Sequence, residues 1–206
     1  MSMGYELTGR VQQKRRTRDA LVTAARELVS RGETPTVDAA AAKAAISRTT
    51  AYRYFPNQHA LLAAAHPETA VASMLPDGAP ADVEARLELV VDAFTQMIVE
   101  TEAQQRTMLR LSLEADPVER ANLPLRQGRA IAWFEEALEP LADEMSDAAR
   151  HRLALAVRSA TGIEALAWLT DVGGLSRDDA RALMRWSARA LLQSAVAEHG
   201  AGATHG

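Results

Sequence analysis

Four side chains between residues 48 and 53 combine types and spacings that suit contact with a nucleic acid. They are Arg48, Thr49, Tyr52 and Arg53. In an α-helix these spacings place all four on one face. Arginine and threonine donate hydrogen bonds to base edges and phosphates, and tyrosine donates or stacks. A helix with this face suits the major groove of double-stranded DNA.

The helix that carries these residues is the second of a predicted pair. Thr36 can cap the first helix, which ends near Ala44, and Ser47 can cap the second, which ends before Pro56 because proline cannot continue it. Only two residues, 45 and 46, lie between them. The pattern predicts a steep helix pair, a helix-turn-helix, that buries a set of small and apolar side chains. These are Val37, Ala40, Ala41, Ile46, Ala51 and Phe55.

The segment from Ala44 to Leu61 resembles the helix-turn-helix of TetR-family transcriptional regulators. The order Ser-Arg-x-Thr-x-Tyr-Arg-Tyr-Phe-Pro carries the resemblance. Two positions depart from the family pattern. Ala45 stands where the family usually has glycine in the turn, and Gln58 stands where it commonly has a lysine that contacts a phosphate. That contact is then missing or made by His59.

The resemblance implies an all-α fold in three parts. Residues 10–56 form a three-helix DNA-binding domain, 57–75 a connecting helix, and 81–199 a C-terminal helical domain for ligand binding and dimerisation. The implied function is transcriptional regulation, with a repressor released from a palindromic operator by a small, largely apolar effector. Alternatives remain open: an activator, a DNA-binding protein without an effector, or, more remotely, a protein-interaction module that has lost DNA binding.

The predicted DNA contacts divide into base readers and phosphate contacts. Arg48, Thr49 and Tyr52 are expected in the groove. Thr36, Thr50 and Arg53 are expected at phosphates, helped by a basic N-terminal arm. In isolation such a basic run is usually a solvated face, but beside a helix-turn-helix it favours an arm that neutralises phosphates or enters the minor groove. The full predicted set is Lys14, Arg15, Thr36, Ser47, Arg48, Thr49, Thr50, Tyr52, Arg53 and His59.

The charge of the chain is divided unevenly along its length. The net charge is −4, but residues 1–55 hold ten Lys/Arg against five Asp/Glu, and residues 56–206 hold thirteen against twenty-two. Only the first quarter is therefore suited to a polyanion. The chain has no cysteine, begins with a polar stretch, and nowhere approaches the ~20 apolar residues of a membrane span. A cytoplasmic protein with no membrane partner is expected.

Patterns typical of enzymes do not occur in the sequence. The five histidines are scattered, and the adjacent carboxyl pairs Glu135-Glu136 and Asp178-Asp179 diverge around a helix. We expect no catalytic residue, no cofactor and no metal site.

Large apolar side chains in the C-terminal part are candidates for an effector pocket. Ordinary core is the alternative at every one of these positions. By resemblance to TetR-like proteins, some of them would line a site for an unidentified small molecule. The candidates are Phe94, Met97, Met108, Leu111, Trp133, Phe134 and Trp168.

The last two predicted helices are the longest and are candidates for a homodimer interface. The first begins after Ser146 and runs to about Asp171, and the second begins after Ser176. TetR-like proteins dimerise through these two helices, whereas packing within one chain is the alternative. The predicted interface comprises Ala156, Ala160, Ile163, Ala167, Leu183, Trp186, Ala190, Leu191 and Ser194.

Overall fold

The computed structural model describes residues 3–31, 33–65, 71–114 and 128–203, with side chains described between residues 11 and 199. In these ranges the chain is helical and contains no strand, which confirms the predicted all-α class. The α-helices are α1 (Met3–Ser30), α2 (Val37–Lys43), α3 (Arg48–Tyr54), α4 (Gln58–Ala65), α5 (Val83–Glu100), α6 (Glu102–Glu114), α7 (Arg129–Ala137), α8 (Asp147–Thr161), α9 (Ile163–Asp171) and α10 (Arg177–Ala203). A short 3₁₀-helix, Glu139–Leu141, follows α7.

The chain divides into two compact units. The first unit comprises residues 1–69 and 103–127, and the second comprises residues 70–102 and 128–206. This division differs from the predicted one, which placed α6 in the C-terminal domain. Met108 and Leu111 of α6 pack instead with Val29, Leu62 and Ala63, in the first unit. Helical periodicity predicts that α6 has an apolar face but not which unit that face joins.

Alanine dominates the core of the first unit. Buried alanines from α1 to α4 pack with Leu21, Leu61 and Phe55, and their short side chains let the helix backbones approach closely. Two polar bonds attach α6 to the same unit. The amide of Gln104 donates to the Ala65 carbonyl, and Arg110 Nη2 donates to Thr34 Oγ1 at 2.8 Å.

Aromatic rings occupy the core of the second unit. Phe94 on α5 meets Phe134 and Trp133 of α7 edge to face, with ring centroids 5.4 and 6.1 Å apart. The indole N–H of Trp133 donates to the Ala72 carbonyl at 3.1 Å, so this buried polar group is satisfied. On the other side of α5, a row of acidic residues pairs with arginines of α10. Asp92, for example, accepts from Arg181 and Arg185 at 2.9 and 2.7 Å.

Three elements differ from their sequence-based predictions. The basic residues 10–18 lie inside α1, which begins at Met3, rather than in an arm before a helix. The connecting helix ends at Ala65, residues 71–75 are not helical, and residues 66–70, with Pro67, lie outside the described residues. The helix predicted from Ser146 to Asp171 is divided at Gly162 into α8 and α9. Within the described ranges, no helix combines the length and apolar composition that a bilayer crossing requires.

Candidate nucleic-acid interface

Side-chain caps fix the start of both helices in the α2–α3 pair. Thr36 Oγ1 accepts from the amide of Ala39 at 3.1 Å, and Ser47 Oγ accepts from the amide of Thr50 at 3.2 Å. Both predicted caps are confirmed. Each cap satisfies a backbone donor that would otherwise lack a partner in the first turn.

The turn between α2 and α3 places a non-glycine residue in the left-handed region. Ala45 has φ of +54°, a conformation in which its Cβ is crowded and which glycine adopts without cost. The amide of Ile46 donates to the Ala41 carbonyl at 2.9 Å, which closes the turn. The fold therefore keeps the turn geometry that glycine would favour, and Ala45 is strained.

The structure leaves the predicted reading face of α3 exposed. Arg48, Thr49, Tyr52 and Arg53 are all exposed, while Ala51 on the opposite face is fully buried. Burial of Ala51 against α2 orients the helix so that its polar face is available to a ligand. The four side chains that sequence spacing groups together thus form one surface.

Two contacts hold Arg48 at this surface. Its Nε lies 3.0 Å from Oδ1 of Asp38 on α2, and its guanidinium carbon lies 5.7 Å from the centre of the Tyr52 ring. A carboxylate and an aromatic face both attract a guanidinium. Arg48 is therefore tied to α2 as well as to its own helix.

The other four predicted DNA contacts lie on three helices of the first unit. Thr50 is half-buried, and its Oγ1 accepts from Ser47 Oγ at 2.8 Å, which leaves the Thr50 hydroxyl proton for another acceptor. His59 is half-buried on α4. Lys14 and Arg15 are exposed on α1, where Arg15 Nε lies 3.8 Å from Asp19 Oδ2.

Arg18 connects the basic part of α1 to the end of α3, a role that sequence reasoning did not assign. Its guanidinium lies 5.6 Å from the ring centre of Phe55, which is the residue that ends α3. By sequence, Arg18 is one of several basic residues between positions 10 and 18. Its distance in sequence from Phe55 gives no sign of the contact.

Gln58 has a structural role in place of the expected lysine. Its Nε2 donates to the Pro35 carbonyl at 2.9 Å, which ties the start of α4 to the loop before α2. Asn57 caps α4 as its type predicts, since its Oδ1 accepts from the amide of Ala60 at 2.8 Å. The side chain of Gln58 thus links α4 to the loop that leads into the α2–α3 pair.

The structure separates the residues predicted to line an effector pocket. Phe94, Trp133 and Phe134 are buried against one another, and Met97 is half-buried beside them on α5. Met108 and Leu111 belong to the core of the first unit, and Trp168 is 61% exposed on α9. Two of the seven residues therefore belong to the core of the first unit, and the other five belong to the second unit. Periodicity could not distinguish them, because a core position and a pocket position have the same helical spacing.

Part of the predicted dimer interface lies at the surface of the second unit. Trp186 is 65% exposed and Leu183 is 37% exposed on α10, and Ser194 is exposed two turns further on. Ala156, Ala160, Ala167, Ala190 and Leu191 are half-buried. Ile163 is buried within its own unit, since the break at Gly162 turns this first residue of α9 inward. It is not available to a second copy.

A small cleft between α5 and α10 contains none of the predicted pocket residues. Arg189 spans it, with Nε 3.2 Å from Glu84 Oε1 and Nη2 3.2 Å from Glu88 Oε1. Apolar side chains form its floor. The lining consists of Glu84, Leu87, Glu88, Val91, Arg185, Ala188, Arg189 and Leu192.

Comparisons with known proteins add no family assignment. No protein-family model matches the chain, and a search of curated proteins finds no match. In the described part of the chain, no three His, Asp or Glu side chains meet in an arrangement suited to a metal ion.

Proposed function

We propose that the protein is a DNA-binding transcriptional regulator of the TetR type, a homodimer that represses transcription from a palindromic operator. The exposed face of α3 carries the proposal. Arg48, Thr49, Tyr52 and Arg53 are exposed on a capped and closely packed helix pair, and all four side chains carry hydrogen-bond donors. This is the arrangement that base readout in the major groove requires.

The distribution of charge supports binding through the first unit. By sequence, the first unit holds fourteen Lys/Arg against nine Asp/Glu, and the second holds nine against eighteen. A phosphate backbone therefore attracts one unit and repels the other. Such an asymmetry orients the protein on DNA during encounter.

Exposed tryptophans support a second copy of the chain as a partner. Trp168 and Trp186, both more than half exposed, lie in the second unit together with the exposed Leu183. Large apolar side chains that remain at the surface are typical of protein–protein interfaces. A dimer would present two α3 faces, which meet half-sites one helical turn apart, about 34 to 36 Å.

In the proposed mechanism, a small, largely apolar effector binds the second unit and lowers the affinity for the operator. The effector must bind the DNA-incompetent state more tightly, and a coupling of about 1–3 kcal/mol weakens DNA binding roughly 5- to 150-fold. A second candidate is a DNA-binding protein without an effector. The close packing of Phe94, Trp133 and Phe134 favours it, because these rings fill the space between α5 and α7.

The decisive experiment is a fluorescence-anisotropy titration of the full-length protein with the DNA immediately upstream of its own coding region. Binding should resist unrelated competitor DNA and weaken steeply with salt. Failure of the folded dimer to bind at low salt would refute the proposal and favour the interaction-module alternative. Once binding is established, addition of small apolar compounds separates the two candidates, since only the effector-controlled regulator releases its DNA.

A further inference from the structure

The contact between Arg48 and Asp38 links α3, which carries the predicted reading face, to α2. Asp38 is 43% exposed as a side chain, but its Oδ1 is screened from solvent. That oxygen has no aligned hydrogen bond, and the Arg48 Nε at 3.0 Å is its charged neighbour. A screened carboxylate oxygen beside a single guanidinium favours one position of that guanidinium.

The position of Asp38 is set by the backbone of α2. The residue lies in the first turn, two positions after the Thr36 cap, where the helix dipole favours a negative charge. Ala40 and Ala41 follow it and are buried in the core of the first unit. The carboxylate is therefore presented from a rigid element.

The geometry leaves the outer end of the Arg48 guanidinium available. The Asp38 contact uses Nε, and the Tyr52 ring lies against the group at 5.7 Å. Within the described part of the chain, Nη1 and Nη2 of Arg48 donate no hydrogen bond to the protein. Two parallel N–H donors at the end of an arginine match O6 and N7 of guanine.

We propose that Asp38 is a positioning residue for DNA recognition, which holds Arg48 in the orientation that reads a guanine in each half-site. This inference rests on the proposed function and adds a specificity residue that lies on α2 rather than on α3. Loss of the carboxylate would leave Arg48 able to contact DNA but free to adopt other rotamers. Base preference would then fall without loss of general affinity.

A purely electrostatic role for Asp38 predicts a different result. A carboxylate near the interface repels phosphates, so its removal would raise affinity for all sequences alike and leave base preference unchanged. Asp19 offers a matched control, because it also lies in the first unit and pairs with a predicted DNA contact, Arg15. The Asp19→Asn variant removes the same charge from a predicted phosphate contact rather than from a base reader.

The test is selection from a library of random double-stranded DNA with the full-length wild type and the variants D38N, D19N, R48A and D38N/R48A. In D38N, the preference for one base over the others should fall about three- to tenfold at the position that R48A also affects. This decrease is near the low end of what one bidentate contact contributes. D19N should keep the wild-type preference at every position. The double variant should match R48A, because Asp38 acts through that arginine.

A DNA-free measurement separates this inference from the proposed function. In the NMR spectrum of the free protein, the Arg48 Nε–H signal, identified by its loss in R48A, should shift and exchange faster with water in D38N but not in D19N. Circular dichroism verifies that each variant is folded. Wild-type preference retained in D38N, or an unchanged Arg48 signal, would overturn the positioning role alone. Absence of sequence preference in the wild type would overturn the proposed function and this inference together.

Discussion

The helices of the first unit pack through alanine, whereas those of the second unit pack around aromatic rings. Ala25, Ala40 and Ala51 are fully buried in the first unit, and Phe94 and Phe134 are fully buried in the second. Small side chains bring backbones close and fix the angle between helices, while rings fill a wider space with fewer residues. The close packing of alanines in the first unit suits a surface whose geometry must match a rigid partner.

The exposed surfaces of the two units also differ, in residue type and in charge. The first unit exposes arginine, threonine and tyrosine on α3 and has an excess of positive charge, and the second exposes tryptophan on α9 and α10 and has an excess of negative charge. One surface is suited to a charged and hydrated partner, and the other to an apolar one. Five predictions test how far this contrast extends, in order of decreasing effect.

Removal of a buried ring from the second unit should produce the largest change. Phe94→Ala should lower the free energy of unfolding by about 3–5 kcal/mol, because the substitution leaves a cavity and removes the contacts of Phe94 with two other rings. Urea denaturation measures this loss, and hydrogen exchange locates it. Phe55→Ala is the counterpart in the first unit. Equal acceleration of exchange in α2 and α5 by both variants would contradict the assignment of Phe55 and Phe94 to separate cores.

Charge placed on the apolar surface of α10 should weaken the proposed dimer. Trp186→Glu should raise the dimer dissociation constant by at least about 30-fold, as expected for a buried aromatic hot spot. Sedimentation velocity over a range of concentrations measures the constant. Leu89→Glu, at an exposed apolar residue of α5 outside the predicted interface, is the control. A dimer that survives Trp186→Glu would argue for a different interface.

Two basic residues of the first unit should differ in what they contribute to DNA binding. Arg48→Ala should cost about 1–3 kcal/mol at one base position of each half-site. Lys14→Ala should weaken binding to all sequences equally and reduce the salt slope by about one. Competition titrations at several salt concentrations measure both effects. Equal loss of base preference in the two variants would refute this division.

Relief of strain in the turn should stabilise the first unit. Ala45→Gly should raise the free energy of unfolding by about 1 kcal/mol, because glycine adopts φ of +54° without a Cβ clash. Ala44→Gly is the control, since Ala44 has φ of −81° and should lose about 0.5–1 kcal/mol. Thermal unfolding compares the two. A loss of stability in both variants would show that the turn is not strained.

The smallest expected effect is a pH dependence that belongs to the first unit. Lys43 Nζ lies 2.8 Å from Glu27 Oε2, and this hydrogen bond lowers the pKa of Glu27 below its ordinary value of 4.5. A lowered pKa in the folded state contributes stability above the unfolded-state pKa, which is lost as the pH falls through the folded-state pKa. The stability difference between wild type and Glu27→Gln should therefore be present near neutral pH and vanish on acidification. Glu33→Gln is the control, and an unchanged difference at low pH would contradict the prediction.

Local signals in the sequence predicted the helix pair well. Thr36, Ser47 and Pro56 act on the residues next to them, so the bounds of α2 and α3 follow from residue type alone. The single Gly162 was missed as a break because helical residues flank it on both sides and isolated glycines are tolerated in helices. Residue type did not predict the long extent of α1, because a basic run is compatible both with an arm and with an exposed helical face.

Sequence patterns did not predict the contacts between helices. Asp38 and Arg48 meet only because the turn sets the angle between α2 and α3, and Gln58 meets Pro35 only because α4 and α2 both pack against α1. The membership of Met108 and Leu111 in the first unit depends on the surfaces of α1 and α4. Each of these facts follows from tertiary packing, whereas periodicity specifies only which face of a helix is apolar.

The alanine core of the first unit also limits how this protein can diverge. At Ala40, Ala41 and Ala51, a larger side chain would force the helices apart, and the only smaller residue, glycine, weakens the helix itself. Tolerated substitutions in the helix pair are thus confined to its solvent side, where they leave the scaffold intact. If the protein is the DNA-binding regulator proposed above, a few exchanges on the exposed face of α3 change the preferred DNA sequence without changing the packing of the helices.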